Sequence, residues 1–279
     1  MLPDFLGIGA QRCGTTWLYE NLRAHPEIFM PDKKELNFFS EINGNYAKGL
    51  PWYENYFKDA SPTDRKGEIT PEYLLDPSVP GRIIKALDTV KVIAILRNPL
   101  DRALSSYGKG LREGNWDIGF DEFTRTNRDY CIDRGKYYRQ LLPFFERWPK
   151  ENILIKIYED IAGGPQEFLK DIYRFLRVNS NFVSSQVDHK FNIGVSKKGG
   201  LLTMVTFTRD AIYRTPFKGS IKWLQRNRQI NSVMNRLMSA RKDVTLYPEW
   251  LKKEFYDDAA KLSQLLNRNL LSEWGLKNE

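Results

Sequence analysis

The chain is poor in the residues that build disulfide frameworks and zinc sites. Its 279 residues include only two cysteines, Cys13 and Cys131, and two histidines, His25 and His189. Two cysteines cannot form a disulfide framework, and so few thiols and imidazoles argue against a zinc site. We therefore expect a reduced, intracellular protein that needs no metal.

Long apolar segments are also missing. The first apolar run, residues 5–9, is too short for a secretory signal or a membrane span and has no basic segment before it. No later run reaches spanning length. The sequence thus predicts a soluble, cytoplasmic protein without a membrane span.

Acidic residues are outnumbered. The chain has 43 Lys and Arg against 35 Asp and Glu, a formal net charge of +8. This balance suits an anionic ligand, although nucleic acid or an anionic membrane would also explain it. With 41% hydrophobic residues, the chain can bury a large core, and we expect a single domain over residues 1–279.

Apolar runs and helical patterns alternate along the chain. Buried strands are predicted at 5–9, 91–96 and 152–158, and helices at 15–24, 101–107, 137–148 and 165–176. This alternation is typical of an α/β fold, with a parallel sheet flanked by helices.

The character of the sequence changes after residue 200. Residues 201–245 are rich in Lys and Arg, interleaved with aromatic residues, and have only Asp210 and Asp243 as acids. They form either a helical lid or acceptor-side insertion, or basic helices that are simply solvated. The last stretch, 247–274, has leucines at helical spacing, namely Leu262, Leu265, Leu266, Leu270 and Leu271.

Residues 9–16 (GAQRCGTT) follow a predicted strand and open a predicted helix. In that context a glycine loop directs backbone N–H groups at an oxyanion, and the helix N-terminus adds partial positive charge. The spacing is that of a Walker A loop, except that Thr15 occupies the lysine position. A cation is offered instead by Arg12. An ordinary glycine-containing turn is the simpler alternative.

A second segment, residues 97–105 (RNPLDRALS), follows the strand at 91–96. A P-loop NTPase needs an Asp after its second strand to organise Mg²⁺, whereas Arg97 here repels a metal and attracts an anion. Arg97 and Ser105 can converge on one phosphate, since arginine binds phosphate oxygens in a bidentate way. Arg102 is expected in an ion pair or at the surface.

Together these two segments resemble the 5′-phosphosulfate loop and the 3′-phosphate motif of sulfotransferases that use PAPS (3′-phosphoadenosine-5′-phosphosulfate). Residues 31–39 (PDKKELNFF), 49–53 (GLPWY) and 67–73 (GEITPEY) are similar to the heparan sulfate sulfotransferases, especially their N-sulfotransferase branch. Residues 196–199 (SKKG) resemble the late basic loop that covers the donor. The similarity extends over most of residues 5–200.

The resemblance implies a P-loop-like, three-layer α/β fold with a central parallel sheet. It implies PAPS as donor, PAP as product, and no metal. The matching positions for the 5′-phosphosulfate are Cys13, Gly14, Thr15, Thr16 and Trp17, with Arg12 beside the bridging oxygen. Those for the 3′-phosphate are Arg97 and Ser105, and those of the covering loop are Lys197, Lys198 and Gly199.

The resemblance also makes Glu35 the general base. The histidines are poorer candidates, because His25 precedes Pro26 at a helix end, where a structural role is expected. The apolar neighbours Leu36, Phe38 and Phe39 predict buried surroundings, which would make the Glu35 carboxyl a stronger base. Glu68 matches the family pattern and is expected either to orient the acceptor or a basic residue, or to be a plain surface carboxylate.

Some features depart from the heparan sulfate enzymes. Ile69 stands where those enzymes have lysine, which removes a cation near the reacting groups. Their membrane stem and late disulfide have no counterpart here, a pattern that fits a soluble bacterial member. The acceptor is expected to be a glycan or glycoconjugate that is modified on a hydroxyl or an amine.

Two other functions stay open from sequence. One is a P-loop nucleotide kinase or NTPase, which the Walker-like spacing favours and Thr15 and Arg97 oppose. The other is a non-enzymatic basic protein that binds nucleic acid or membrane through 201–245. No RNA-binding signature or helix-turn-helix pattern supports nucleic acid as a partner.

Overall fold

The structure is a computed structural model that describes residues 1–41, 44–87, 89–113, 115, 118–189 and 247–277. Two compact units divide the chain. The first holds the described residues of 1–98, 136–191 and 261–268, and the second those of 99–135, 192–260 and 269–279. A single domain over 1–279 stays a prediction, and the basic segment 201–245 lies outside the described residues.

A five-stranded parallel sheet forms the centre of the first unit. Its strands are β1 (Phe5–Gly9), β2 (Ile28–Phe29), β3 (Arg65–Ile69), β4 (Lys91–Leu96) and β5 (Ile153–Ile157). The order across the sheet is β2-β3-β1-β4-β5, so β1 lies between β3 and β4. Chain order therefore reverses at β1, and the predicted α/β class with a central parallel sheet is confirmed.

Helices connect the strands. In chain order they are α1 (Thr15–Arg23), α2 (Gly49–Glu54), α3 (Val79–Ala86), α4 (Pro99–Glu113), α5 (Phe120–Thr126), α6 (Arg128–Cys131), α7 (Tyr137–Phe145), α8 (Pro165–Leu176), α9 (Glu249–Leu266) and α10 (Leu270–Trp274). Within the described part of the chain, no helix is both long and apolar enough to cross a lipid bilayer.

The inner strands β1 and β4 are apolar and buried. Every residue of β1 is buried, as is all of β4 except its first residue. Continuous apolar strands of this kind are typical of parallel sheets, whose two faces both lie against other elements. Gly67 on β3 is needed at its position, because a Cβ there would lie 2.2 Å from the ring of Phe5.

Several predicted elements have the observed bounds, including the strands at 5–9 and 91–96 and the helix at 165–176. The short strands β2 and β3 were not predicted, since neither is a long apolar run. The C-terminal stretch is interrupted where Asn267 adopts a left-handed conformation with φ of 49°. That conformation ends α9, so the leucines before and after Asn267 do not share one helical face.

Arg102 in the second unit corrects a prediction. Its side chain is fully buried rather than at the surface. It donates hydrogen bonds to the backbone carbonyls of Tyr130 (2.7 Å) and Cys131, and to Ser106 Oγ (3.3 Å). Arg102 therefore ties α4 to α6 and is part of the core of this unit.

Candidate functional site

The predicted site residues of the first unit meet at the carboxyl edge of the sheet. Because all five strands are parallel, the segments after β1, β3, β4 and β5 leave from the same edge. In open α/β sheets, ligands bind at this edge where the strand order reverses. The loop 10–14, Thr70, Arg97 and Tyr158 begin those four segments.

The loop between β1 and α1 is shaped for an anion. Gly14 caps α1 with φ of 86°, and no side chain caps the first turn of the helix. A Cβ on Gly14 would lie 2.9 Å from the ring of Tyr158, so a larger residue does not fit there. The first turn of α1 has no acidic residue, and its partial positive charge is left to attract an anion.

The side chains of this loop anchor it to the protein. Cys13 is fully buried, with its sulfur 3.7 Å from the hydroxyl of Tyr137, and Thr15 is 7% exposed. Trp17 donates from Nε1 to the carbonyl of Val187 (3.1 Å). Thr16 is half-buried. Anchored in this way, the loop holds its backbone in one arrangement before a ligand binds.

Arg97 lies beside the loop. Its Nη1 donates to the carbonyl of Arg12 (3.5 Å), and its guanidinium lies 4.7 Å from the ring centre of Tyr158. Its Nε is buried without a hydrogen-bond partner among the residues that the structure describes. A buried donor without an acceptor is costly, and a phosphate oxygen would satisfy it. The structure thus brings Arg97 to the loop, and its predicted role as a ligand of the 3′-phosphate stays a prediction.

Tyr158 was missed from sequence. Its ring contacts the position of Gly14 on one side and the guanidinium of Arg97 on the other. The one available signal is its place directly after the strand at 153–157, which puts it at the ligand edge. An aromatic residue there packs two distant segments into one site.

The other residues that were predicted to bind the donor do not lie in the described part of the first unit. Ser105 lies on α4 in the second unit and is 6% exposed. Lys197, Lys198 and Gly199 lie outside the described residues. Their roles toward the donor stay predictions.

Glu35 differs from its predicted surroundings. Leu36, Phe38 and Phe39 are buried, but the side chain of Glu35 is itself 37% exposed. Lys34 Nζ lies 3.3 Å from Glu35 Oε1. The expected apolar enclosure of this carboxyl is therefore wrong, because its neighbours turn into the core while Glu35 faces outward beside a cation.

Glu68, the last residue but one of β3, is the buried carboxyl of this region. It is 2% exposed and accepts hydrogen bonds from the hydroxyls of Tyr73 (2.6 Å), Thr70 (2.8 Å) and Tyr53 (3.2 Å). Burial raises the pKa of Glu68 to about 7; the three hydroxyls lower it, and the charge of Glu35 raises it. The alternative of a surface carboxylate is excluded.

His25 has the structural role expected of it. It is 2% exposed, accepts the backbone N–H of Glu27 at Nδ1 (3.1 Å), and contacts the carbonyl of Asn179 through Nε2 (3.0 Å). Among the described residues, no group of three or more His, Cys, Asp and Glu side chains could hold a metal ion.

The pKa of Glu68 predicts a pH dependence of stability. Between about pH 4.5 and 7 the folded protein holds a proton on Glu68 that the unfolded chain has lost. The free energy of unfolding should therefore fall as the pH rises through this window, by roughly 3 kcal/mol from this group. Urea titrations at several pH values should show this fall in the wild type and not in Glu68→Gln.

The exposed Glu146→Gln is the matched control, because its carboxyl is 57% exposed. It should keep the wild-type pH dependence. The same pH dependence in Glu68→Gln as in the wild type would contradict the assignment.

Comparison with known proteins places this site in a family. The sulfotransferase domain family matches residues 2–209. The mouse heparan sulfate glucosamine 3-O-sulfotransferase 5 is 36% identical over 191 residues, covering 63% of this chain and 54% of that protein. The bovine bifunctional heparan sulfate N-deacetylase/N-sulfotransferase 2 is 29% identical over 196 residues, covering 63% and 22%. The chain thus spans about half or less of the length of these relatives.

Solved structures agree on the fold. A sulfotransferase from Alicyclobacillus acidocaldarius has a TM-score of 0.71 at 22% identity, covering 98% of this chain and 99% of that one. The sulfotransferase domain from the curacin biosynthetic pathway has a TM-score of 0.55 at 14% identity, covering 96% and 99%. The P-loop-like α/β fold is confirmed, as is the resemblance seen in the sequence. This chain belongs to the sulfotransferase family.

Proposed function

We propose that the protein transfers a sulfuryl group from PAPS to a hydroxyl or an amine of a carbohydrate acceptor. The observation that carries the proposal is the site at the end of β1 and β4. There a helix N-terminus without a side-chain cap lies next to Arg97, whose buried Nε has no partner within the described residues. The names of the relatives support sulfuryl transfer.

The residues of the site suit this donor. PAPS carries anionic groups at both ends of its ribose, and it supplies a sulfuryl group already activated by a phosphate leaving group. The backbone of residues 13–17 would hold the 5′ group, and Arg97 with Ser105 would hold the 3′-phosphate. Lys197, Lys198 and Gly199 would cover the donor. Arginine is favoured here since its fork matches phosphate oxygens.

The chain would contribute a base and a cation to the reaction. Glu35 is partly exposed and can reach an acceptor, from which it would take the proton as the new bond forms. Arg12 would stabilise the charge that builds on the leaving oxygen. Arg12 has φ of 70°, and its carbonyl is held by Arg97, so the turn that carries it is fixed.

A surface next to Glu35 fits an acidic sugar chain. We define the lysine–tryptophan surface as Lys33, Lys48, Trp52 and Tyr56. The ammonium groups lie near the Trp52 ring centre, at 5.8 Å for Lys33 and 4.6 Å for Lys48, and Lys33 is 5.7 Å from that of Tyr56. Both lysines are exposed. The indole stacks on Phe38 at 6.1 Å, which joins this surface to the segment of Glu35.

The chemistry of this surface favours an anionic glycan as acceptor. Aromatic rings offer apolar faces to sugar rings, and two exposed ammonium groups attract carboxylates or sulfates. Lys33 and Lys48 thus supply positive charge in this region, although Ile69 stands where the heparan sulfate enzymes have a lysine. The acceptor proposal rests on this surface and on the substrates that the names of the relatives give.

Arg97→Ala should weaken the binding of PAP by about 10- to 100-fold, because charge-assisted hydrogen bonds to the 3′-phosphate are lost. Calorimetric titration of PAP without magnesium measures the affinity. The exposed Arg174→Ala is the control and should bind PAP as the wild type does. ADP lacks the 3′-phosphate and should bind more weakly to the wild type. Equal PAP affinity in Arg97→Ala, or tighter binding of Mg·ADP than PAP, would favour a nucleotide kinase instead.

Glu35→Gln should lower kcat by about 10²- to 10⁴-fold and leave PAP affinity unchanged, since the amide cannot accept the acceptor's proton. Transfer of labelled sulfate from PAPS to heparan sulfate, intact or with its N-sulfates removed, measures turnover. Glu41→Gln changes an exposed carboxyl of the same segment and serves as control. Near-normal turnover in Glu35→Gln would remove Glu35 from the mechanism.

Replacing both Lys33 and Lys48 by alanine should raise KM for heparan sulfate about tenfold and leave PAP affinity unchanged, because two charges near the surface are lost. The charge-matched control replaces Lys150 and Lys170, which lie on other elements. An equal rise in KM for both double variants would mean that net charge, and not this surface, attracts the acceptor.

A further inference from the structure

Glu68 is connected to the segment that carries Glu35 by more than proximity. The hydroxyl of Tyr73, which donates to Glu68 Oε1, accepts the backbone N–H groups of Phe38 (2.8 Å) and Phe39 (3.3 Å). The hydroxyl of Thr70, which donates to Glu68 Oε2, accepts the N–H of Asn37 (3.2 Å). Three successive amides after Glu35 and Leu36 are thus held by two hydroxyls that both point at one carboxylate.

The direction of these hydrogen bonds depends on the carboxylate. A hydroxyl has one proton to donate and lone pairs to accept with. Because Thr70 and Tyr73 spend their protons on Glu68, their lone pairs face the amides. Burial, together with the charge of Glu68, raises the pKa of Tyr73 well above its usual value, so this hydroxyl stays a donor. Each series of hydrogen bonds therefore runs from a backbone amide to a hydroxyl and from that hydroxyl to the carboxylate of Glu68.

A third hydroxyl, that of Tyr53, also donates a hydrogen bond to Glu68. Its oxygen does not accept the amides of residues 37–39, which bind Thr70 and Tyr73. Tyr53 donates to Glu68 Oε1 (3.2 Å), and its ring stacks on that of Phe38 with centres 4.3 Å apart and planes 9° apart. Tyr53 thus touches the Glu35 segment only through its ring. We call the hydroxyls of Thr70 and Tyr73, with the amides of residues 37–39 that they accept, the hydroxyl relay. Comparison with Tyr53 separates the effect of this relay from that of packing.

The negative charge of Glu68 also acts on Glu35 directly. The two carboxyls interact electrostatically, and Lys34 Nζ lies 3.3 Å from Glu35 Oε1. Repulsion between two carboxylates is relieved when one of them takes a proton. The other groups around Glu68 are the hydroxyls of Tyr53, Thr70 and Tyr73.

We propose that Glu68 is a positioning residue: through the hydroxyls of Thr70 and Tyr73 it holds the backbone of residues 37–39 and so sets the place of Glu35. The proposal rests on the proposed role of Glu35 as base. It explains why a buried carboxylate persists although ionising it destabilises the fold. Its amide contacts can be measured without any acceptor.

Hydrogen exchange of the amides of residues 37–39 is the first test, read by mass spectrometry on the full chain. In Glu68→Gln the amides of residues 37–39 should exchange about 5- to 30-fold faster, the effect of losing one hydrogen bond each, and in Tyr73→Phe those of Phe38 and Phe39 should do so. In Tyr53→Phe, the matched control, they should exchange as in the wild type. The β4 amides report global stability, and the exchange at 37–39 is compared with theirs in each variant, so that a change in global stability is not taken for a local one.

Unchanged exchange at 37–39 in both Glu68→Gln and Tyr73→Phe would overturn the proposal, as would an equal effect in Tyr53→Phe. If Glu68→Gln fails to fold, Tyr73→Phe decides alone. It keeps the ring and removes only the hydroxyl that receives two of the three amides.

Turnover on heparan sulfate is the second test. Glu68→Gln should lower kcat about 10- to 100-fold, the scale of a misplaced catalytic group, with KM for PAPS unchanged. In the wild type kcat should rise with pH near 7, as Glu68 ionises, and this rise should be lost in Glu68→Gln. In the Glu35→Gln background, adding Glu68→Gln should change kcat less than twofold, because its target is already gone.

Full additivity of the two substitutions would overturn the positioning role. The outcomes remain distinguishable from failure of the proposed function. If Glu35→Gln turns over normally, the base assignment is wrong, whereas the exchange of amides 37–39 still decides whether Glu68 holds the segment.

Discussion

The parallel register of three strands is the constraint on which this site depends. Because β1 lies between β3 and β4 and all three run the same way, their carboxyl ends meet at one edge. The loop 10–14, Glu68 with Thr70, and Arg97 come from segments far apart in the chain and become neighbours there. Parallel strands require crossover connections, and the first of these connections places a helix N-terminus at this edge, where an anion would be favoured.

Two sets of contacts hold this edge of the sheet together. On the side of β4, Tyr158 packs between Gly14 and Arg97, and Arg97 keeps one donor that no described residue accepts. On the side of β3, three hydroxyls donate hydrogen bonds to Glu68. The first side is incomplete without an anion, whereas the second is complete and buried. The side of β4 thus suits the anion that we propose as ligand, and the side of β3 suits the positioning role that we propose for Glu68.

The local motifs were predictable because their chemistry is local. A strand followed by GAQRCGTT and a helix predicts a phosphate loop, and Arg97 at the end of an apolar run indicates a cation at the same edge. Tyr158 and the hydroxyl relay were not predictable in this way. Their partners lie up to about half the chain away in sequence, and no spacing rule connects them. The exposure of Glu35 was mispredicted for the same reason, since neighbours in sequence do not decide which side of a segment faces the core.

The sequence by itself determined the α/β class, the phosphate loop, the absence of a lysine from it, and the kinship with sulfotransferases. These properties follow from residue order over short stretches, where backbone geometry and side-chain type suffice. Only the tertiary structure decided that Glu68 is a buried carboxylate, that Glu35 stays partly exposed beside Lys34, and that Arg97 reaches the loop. Burial and hydrogen-bond direction depend on which distant segments the sheet brings together, and pairing of the strands alone sets that.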